Sequence, residues 1–342
     1  MTTTTISRPV CIIGLGLIGG SLLRDLAASG HPAYGFQRSP SAARVAIDEG
    51  FDVSSNLPET LARAESEGAL VVLATPMPAI PALLDSLNKY APTCGFTDVV
   101  SVKGEVYELV CERGMEDRYV GGHPMAGTAD SGWSASQRNL FCDAAWVVTF
   151  DHAIDGEPSE SWIRLWEDVV HMAVRVGAEV IPCRVANHDA AVARISHLPH
   201  ILAETLAIIG DNGGALTLSL AAGSFRDGTR VAGSNPSLVR AMCETNHTAL
   251  LTAIDEAITL LVDARANLAA AKPSVEELVD AGYRSRIRYE ARSGGRSNGH
   301  APGRTCGQGI SHRPVIRFQP GSKGWINQLI QAEDLGARIE VF

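Results

Sequence analysis

The sequence contains no unbroken apolar run approaching the ~20 residues of a membrane-spanning helix, so an integral helical membrane protein is not expected. The one apolar stretch near the start, Val10 to Ile18, lacks a basic n-region and is broken by Gly14 and Gly16, so it reads as neither a secretory leader nor an anchor. Cysteine is sparse and unpatterned: seven residues, at 11, 94, 111, 142, 183, 243 and 306, with no C-x-x-C pair. This argues against a disulfide framework or a zinc site and reads as reduced thiols of a cytoplasmic protein. Positive charge is in deficit, 29 Lys plus Arg against 38 Asp plus Glu for a net −9, so neither nucleic acid nor an anionic membrane is an expected partner. Lysine is scarce, with four residues in the chain and none between Val185 and Ala271. Internal repeats are absent.

What is present is an ordinary globular balance, 45% hydrophobic and 20% charged over 342 residues, enough for two domains. In residues 1–150 short β-branched runs alternate with helical patterns, the signature of a parallel sheet with crossover helices. Strands are expected at Val10–Ile13, Ala33–Phe36, 69–74, 96–100, 119–122 and 144–150, with helices at 20–29, 79–89 and 103–113. A polar link at 151–158, a helix at 161–176 with Trp162, Trp166 and Val169 on its core face, and a strand Glu179–Pro182 follow. Beyond Val185 only helical patterns remain, at 185–209 and 236–271. The second, about 54 Å long at ~1.5 Å per residue, exceeds what a small domain needs and is expected to pack on a second subunit.

Charge divides the chain unevenly. Residues 1–271 hold 18 basic and 31 acidic side chains, net −13, whereas 272–342 hold 11 and 7, net +4. A flexible linker rich in Gly, Ser and Arg is expected at 293–309, then a small appendage with strand Val315–Phe318, a turn at Pro320-Gly321-Ser322, a helix at 325–332 and a strand at 337–342. Eight Arg fall between Arg284 and Arg317; a solvated loop accounts for them.

The segment Gly14-Leu15-Gly16-Leu17-Ile18-Gly19 carries G-x-G-x-x-G between an expected strand and helix. Gly14 suits a tight turn, Gly16 the close approach of a pyrophosphate to backbone, and Gly19 close helix–strand packing, with the phosphates on the helix N-terminus. About 20 residues on, NAD sites place an acid for the ribose 2′-OH; here the strand ends in Gln37-Arg38-Ser39, with no carboxylate. NADP is therefore the expected cofactor, with NAD the alternative, and Thr75, Pro76 and Lys103 complete the expected cofactor contacts.

Two further motifs fall at strand ends, Thr97–Gly104 and Gly121–Thr128, where ligands bind in a doubly wound sheet. His123 beside a nicotinamide is suited to removing an alcohol proton while hydride leaves the same carbon, and Ser101 to orienting the imidazole or the hydroxyl. His188-Asp189 lacks a third metal ligand at suitable spacing and reads as a helix-start ion pair; no metal is expected.

GLGLIGGS (14–21), TDVVSVKG (97–104), GGHPMAGT (121–128), HDAAVARISHLPH (188–200) and FRDGTRVAGSNP (225–236), in this order and spacing, make the chain resemble the prephenate/arogenate dehydrogenase family of tyrosine biosynthesis. The resemblance implies an α/β fold: a Rossmann-like doubly wound domain over 1–183, an all-helical substrate and dimerisation domain over 184–271, and a short basic C-terminal extension over 272–342. It implies oxidative decarboxylation of a small-molecule cyclohexadienol, with His123 as the base and Ser101 as the polarising serine. Arg230, His200, Ser196, His197 and Thr128 are then the substrate contacts, and a homodimer forms through the helical domain. Some members carry Glu directly after the Gly-Thr pair; here Ala129 stands there and Asp130 follows. The acid at 130, with Gln37-Arg38-Ser39, makes L-arogenate with NADP the expected pair, ahead of prephenate. Two alternatives remain: a β-hydroxyacid-type NADP dehydrogenase, whose catalytic helix lysine is missing here, and a non-catalytic dinucleotide sensor, which would be expected to lose His123 or Arg230.

Overall fold

The computed structural model describes residues 6–127, 130–293 and 311–342. These divide into two units, one of residues 6–188 with 311–342 and one of residues 189–293.

In the first unit β1 (Val10–Ile13) leads through the glycine turn into α1 (Leu17–Ala28), then β2 (Ala33–Phe36), α2 (Pro40–Asp48), β3 (Val53–Ser54), α3 (Leu57–Glu67), β4 (Leu70–Leu73), α4 (Ile80–Tyr90), β5 (Phe96–Asp98), α5 (Gly104–Cys111) and β6 (Tyr119–Val120). The six strands form one parallel sheet in the order β3-β2-β1-β4-β5-β6. Strands β1 (VCII) and β4 (LVVL) are apolar throughout because both faces of a central parallel strand are covered. Local chemistry sets the helix ends: Ser39 and Asn56 accept N-cap hydrogen bonds with a proline in the following first turn, and Gly68 closes α3 in the left-handed region.

The expected strand 119–122 is two strands. After β6 the chain leaves the sheet at Gly121, and β7 (Gly122–Pro124) pairs antiparallel with β8 (Ala145–Val148), which pairs in parallel with β9 (Glu179–Pro182). A Cβ at Gly122 would sit 2.7 Å from the carbonyl oxygen of Asp98, so glycine permits this passage. Between β8 and β9 lie α6 (Asp151–Asp155), where a link was expected, and α7 (Glu160–Arg175), which buries Trp162, Trp166 and Val169.

Helix α8 (Val185–Val192) begins in this unit and continues into a π-helical turn at Ala193–His197, then α9 (Leu198–Asn212). Pro199, which has no N–H, stands in the first turn of α9, and the wider turn accommodates it. The second unit continues with α10 (Gly214–Ser219), α11 (Gly223–Thr229), a 3₁₀ turn at Arg230–Gly233, α12 (Pro236–Thr245), α13 (His247–Leu268) and α14 (Glu276–Ser293). The single helix expected over 236–271 is therefore two. Asn246 breaks it, its buried side chain donating to the Asp189 carbonyl at 2.8 Å and meeting His197 Nδ1 at 3.2 Å. Helix α14 was not anticipated, because its arginines resemble a loop composition.

Residues 311–342 fold onto the first unit as β10 (Val315–Phe318), α15 (Trp325–Leu335) and β11 (Arg338–Val341), with β10 and β11 parallel. Phe318 and Trp325 lie 6.3 and 5.7 Å, centroid to centroid, from Trp166. The two ordered parts of the extension thus belong to different units; most of the expected linker lies outside the described residues.

Cys142 is disulfide-bonded, while Cys11, Cys94, Cys111, Cys183 and Cys243 are free. The cysteines are not uniformly reduced thiols, and that argument for a cytoplasmic location falls away. Among the described residues no helix is long and apolar enough to cross a membrane.

Candidate active site

The carboxyl edge of the parallel sheet carries the candidate residues of the first unit. At the end of β1, Gly14 has φ +103°, and a Cβ there would lie 2.6 Å from the Ala74 carbonyl oxygen. A Cβ at Gly19 would lie 2.0 Å from the Gly14 carbonyl oxygen, so helix α1 can approach β1 this closely only without a side chain. Gly16 differs: nothing lies within 4 Å of its would-be Cβ. It precedes α1 as N-cap without a side-chain hydrogen bond, leaving the first-turn N–H groups aimed at the gap above it. An open cradle bounded by two obligatory glycines fits a dinucleotide pyrophosphate. The Leu15 side chain is core, Leu17 and Ile18 pack against it, and Gln37 Nε2 donates to the Leu15 carbonyl at 3.2 Å, bracing the loop. Arg38 is exposed, and Ser39 is committed as the cap of α2. Past β4, Thr75 Oγ1 is enclosed with no hydrogen-bond partner, and Pro76 is exposed beside it.

At β5 a buried ionic cluster underlies the chemistry-bearing loops. Lys103, fully buried, pairs with Asp98 and donates to the Gly122 carbonyl at 2.7 Å. Asp98 also accepts from Tyr119 Oη at 2.6 Å and from the Val100 amide at 2.7 Å. Burial, followed by the Asp98 charge and hydrogen bond, holds the Tyr119 phenol well above its ordinary value. The cluster fixes Val100, beside Ser101, and Gly122, beside His123. Lys103 thereby belongs to the interior of this corner.

His123, half-buried on β7, stands opposite Val147 of β8. Its Nδ1 lies 2.8 Å from Nε2 of His188, and the two rings meet edge to face with centroids 5.1 Å apart. His188 is buried on α8. In sequence His188 reads as half of a helix-start ion pair with Asp189, and nothing in the spacing of two residues so far apart signals that His123 and His188 meet.

In the second unit the three neighbouring substrate candidates, at and just after the π-helical turn, differ in burial. His197 is buried against Asn246, whereas Ser196 and His200 are half-buried. His200 Nδ1 is enclosed without a hydrogen-bond partner. Burial lowers the His200 pKa, with Glu204 opposing and the nearby Arg230 charge adding to the fall. Arg230 is exposed at the start of its 3₁₀ turn, so the fold brings it to His200. Thr128 lies outside the described residues.

A parallel sheet in 3-2-1-4-5-6 order, a glycine cradle at its first turn and a histidine pair past β6 define a dinucleotide-binding fold of the dehydrogenase type. Two family models match: the prephenate dehydrogenase nucleotide-binding domain over residues 23–174 and the prephenate dehydrogenase dimerization domain over 184–281. The chain belongs to the prephenate dehydrogenase family. A candidate prephenate dehydrogenase of Corynebacterium glutamicum is 60% identical, with TM-score 0.91, covering 99% of this chain and 100% of that one. Synechocystis arogenate dehydrogenase is 30% identical at TM-score 0.69 (82% and 99% covered). The Aquifex aeolicus prephenate dehydrogenase, solved with hydroxyphenyl propionate and NAD+, is 26% identical at TM-score 0.70 (82% and 97% covered). The prephenate dehydrogenases of Lactococcus lactis and Bacillus subtilis are 32% and 31% identical over 66% and 72% of this chain; the matches span 61% and 66% of their own lengths. Cyclohexadienyl dehydrogenase of Zymomonas mobilis is 30% identical over 78% of this chain and 90% of that protein.

Proposed function

We propose that the protein oxidises and decarboxylates a 4-hydroxycyclohexadiene, L-arogenate in preference to prephenate, with NADP preferred over NAD. The observation that carries the reaction is the hydrogen bond between His123 and His188 at 2.8 Å. For His123 to accept a proton at Nε2, its Nδ1 must already hold one; Nδ1–H then donates to His188 Nε2, and His188 carries its own proton on Nδ1. His123 Nε2 takes the proton of the ring C4 hydroxyl as C4 loses hydride and becomes a carbonyl. A nicotinamide, when bound, supplies the hydride acceptor. The carboxylate bond pair enters the ring as CO2 leaves, and the His123 imidazolium returns its proton to the phenolate oxygen. Ser101 orients the C4 oxygen. Arg230, with His200 at its side, is the carboxylate anchor, its planar fork suited to bidentate contact.

Absence of an acid after β2, with Arg38 exposed there, supports NADP. Asp130 supports a substrate bearing an ammonium group. Prephenate is the second reading, favoured by the names of the Lactococcus and Bacillus relatives. Following reduced nicotinamide formation with each substrate and each cofactor tests both choices: equal or better turnover of prephenate, or of NAD, would reject them. His123→Asn should lower kcat by about 10² to 10⁴ while leaving cofactor binding intact; a surviving kcat would reject the mechanism.

A homodimer through the helical unit is part of the same proposal. Ile208, Ile209, Leu216, Leu220, Leu261 and Val262 are all more than half exposed, an apolar surface that a partner copy would cover. Sedimentation velocity reads this directly, and a monomer at micromolar concentration would reject it.

A further inference from the structure

Helix α8 carries His188 yet cannot cap itself. The residue before it is Arg184, whose side chain has no acceptor for the free N–H groups of the first turn. The acceptors come from far away. Glu333 of α15, 149 residues later, receives the Arg184 amide at 2.7 Å, Arg184 Nε at 2.6 Å and Asn187 Nδ2 at 2.8 Å. Asp151 of α6 receives the Val185 amide at 2.9 and 3.1 Å. The Glu333 side chain is only 7% exposed, and its negative charge lies where the helix dipole favours it. The Arg184 carbonyl then accepts the His188 amide at 2.8 Å, the bond that closes the first turn of the helix. An unbroken series of hydrogen bonds therefore runs from Glu333 through Arg184 to His188 and from there to His123.

The geometry points to Glu333 as a positioning residue: the C-terminal β10–α15–β11 segment holds the start of α8, and through it keeps His188 in register with His123. This gives the extension a task in catalysis, and it rests on the reading of His123 as the base. The segment is well fixed for such a role. Leu329 and Ala332 of α15 are fully buried, Trp325 packs on Trp166, and Arg313 pairs with Glu179 of β9.

The experiment uses the full chain with Glu333→Ala and Glu333→Gln, the latter keeping one acceptor oxygen. For Glu333→Ala the expected result is a fall in kcat on the order of 10- to 100-fold, the scale of a small displacement of a catalytic group. Substrate KM and the NADP dissociation constant should stay close to those of the parent protein, the thermal midpoint should fall by only the few degrees that a lost helix cap costs, and Glu333→Gln should recover part of the kcat loss. Amide exchange at residues 184–188 should accelerate, and the imidazole NMR signals of His123 and His188 should move. An unchanged kcat with unmoved imidazole signals overturns the proposal, as does a kcat that falls only in step with the thermal midpoint and cofactor binding. If the parent protein oxidises neither prephenate nor arogenate, the functional reading fails instead, and the exchange and imidazole measurements still decide the coupling.

Discussion

Nδ1 of His123 and Nε2 of His188 stand 2.8 Å apart although the residues are 65 positions apart in sequence. Two neutral imidazoles can share one hydrogen bond only if one donates and the other accepts, so the contact couples the tautomers of the two rings, and a His123 that accepts a proton at Nε2 must be the donor. Replacing His188 by Leu removes the acceptor for the His123 Nδ1 proton and frees the ring to turn or to adopt the unproductive tautomer. The expected kcat loss is about 10²- to 10⁴-fold, by analogy with the loss of an orienting partner in other histidine-based sites. Cofactor affinity should be unaffected. His188→Gln, which offers a carbonyl acceptor, should recover part of the rate. Steady-state kinetics of the pair check this, and wild-type kcat in His188→Leu would remove the dyad from the mechanism.

The three glycines of the first turn make separable predictions. At Gly19 the added methyl would meet the Gly14 carbonyl oxygen at 2.0 Å, so Gly19→Ala must force α1 away from β1. A loss of about 1–3 kcal/mol in stability should follow, as in other overpacked sites. At Gly16 the methyl enters open space, and the backbone φ of −84° suits any residue. Gly16→Ala should therefore fold normally while raising the cofactor dissociation constant at least about tenfold, one lost ~1.4 kcal/mol of pyrophosphate contact. Chemical denaturation and cofactor titration of both variants separate the effects; unchanged cofactor affinity in Gly16→Ala would displace the pyrophosphate from this loop.

Lys103 offers a choice between two roles. As a cofactor contact, the role expected from sequence, Lys103→Met would weaken cofactor binding and spare the fold. Buried against Asp98 and the Gly122 carbonyl, it should instead destabilise the protein by about 3–5 kcal/mol, because a buried carboxylate loses its counter-ion. Adding Asp98→Asn to Lys103→Met should return much of that stability. Unfolding midpoints of the single and double variants are the measurement, and a stable Lys103→Met with weak cofactor binding would favour the cofactor-contact role.

Sequence patterns carried the local structure well where one chain segment decides it. Strands β1, β2, β9 and β10 begin and end at the residues their sequence patterns give, and the glycine turn lies between strand and helix as its spacing requires. Patterns failed where distant contacts decide. The alternation of residues 119–124 is the same whether the chain stays in one sheet or crosses to another, and the choice falls to the room around Gly122 beside Asp98. The break at Asn246 depends on a carbonyl at Asp189 and a ring at His197, neither of which is local. For the same reason His188 and Glu333 gave no signal: each has ordinary neighbours in sequence and acquires its meaning from a partner 65 or 149 residues away.

Asp151 links this corner of the molecule to pH. Burial pushes its carboxyl up from an ordinary 3.8 to about 6, with the negative charges of Asp155 and Glu333 adding to the rise and the Val185 amide opposing it. Between those two values the folded protein holds a proton that the unfolded chain has already released. Stability contributed by this group is therefore full below about pH 4 and is lost as pH rises through about 6. Asp151→Asn keeps an oxygen for the Val185 amide but has no charge to desolvate. Relative to the parent it should gain stability progressively from about pH 4, reaching above about pH 6 a plateau of at most about 3 kcal/mol, less for the partial exposure of the group. Urea denaturation near pH 4 and near pH 7 measures the difference. If the variant differs from the parent by the same amount at both, the raised carboxyl is not the source of the pH dependence, and Asp151 serves α8 only as a cap.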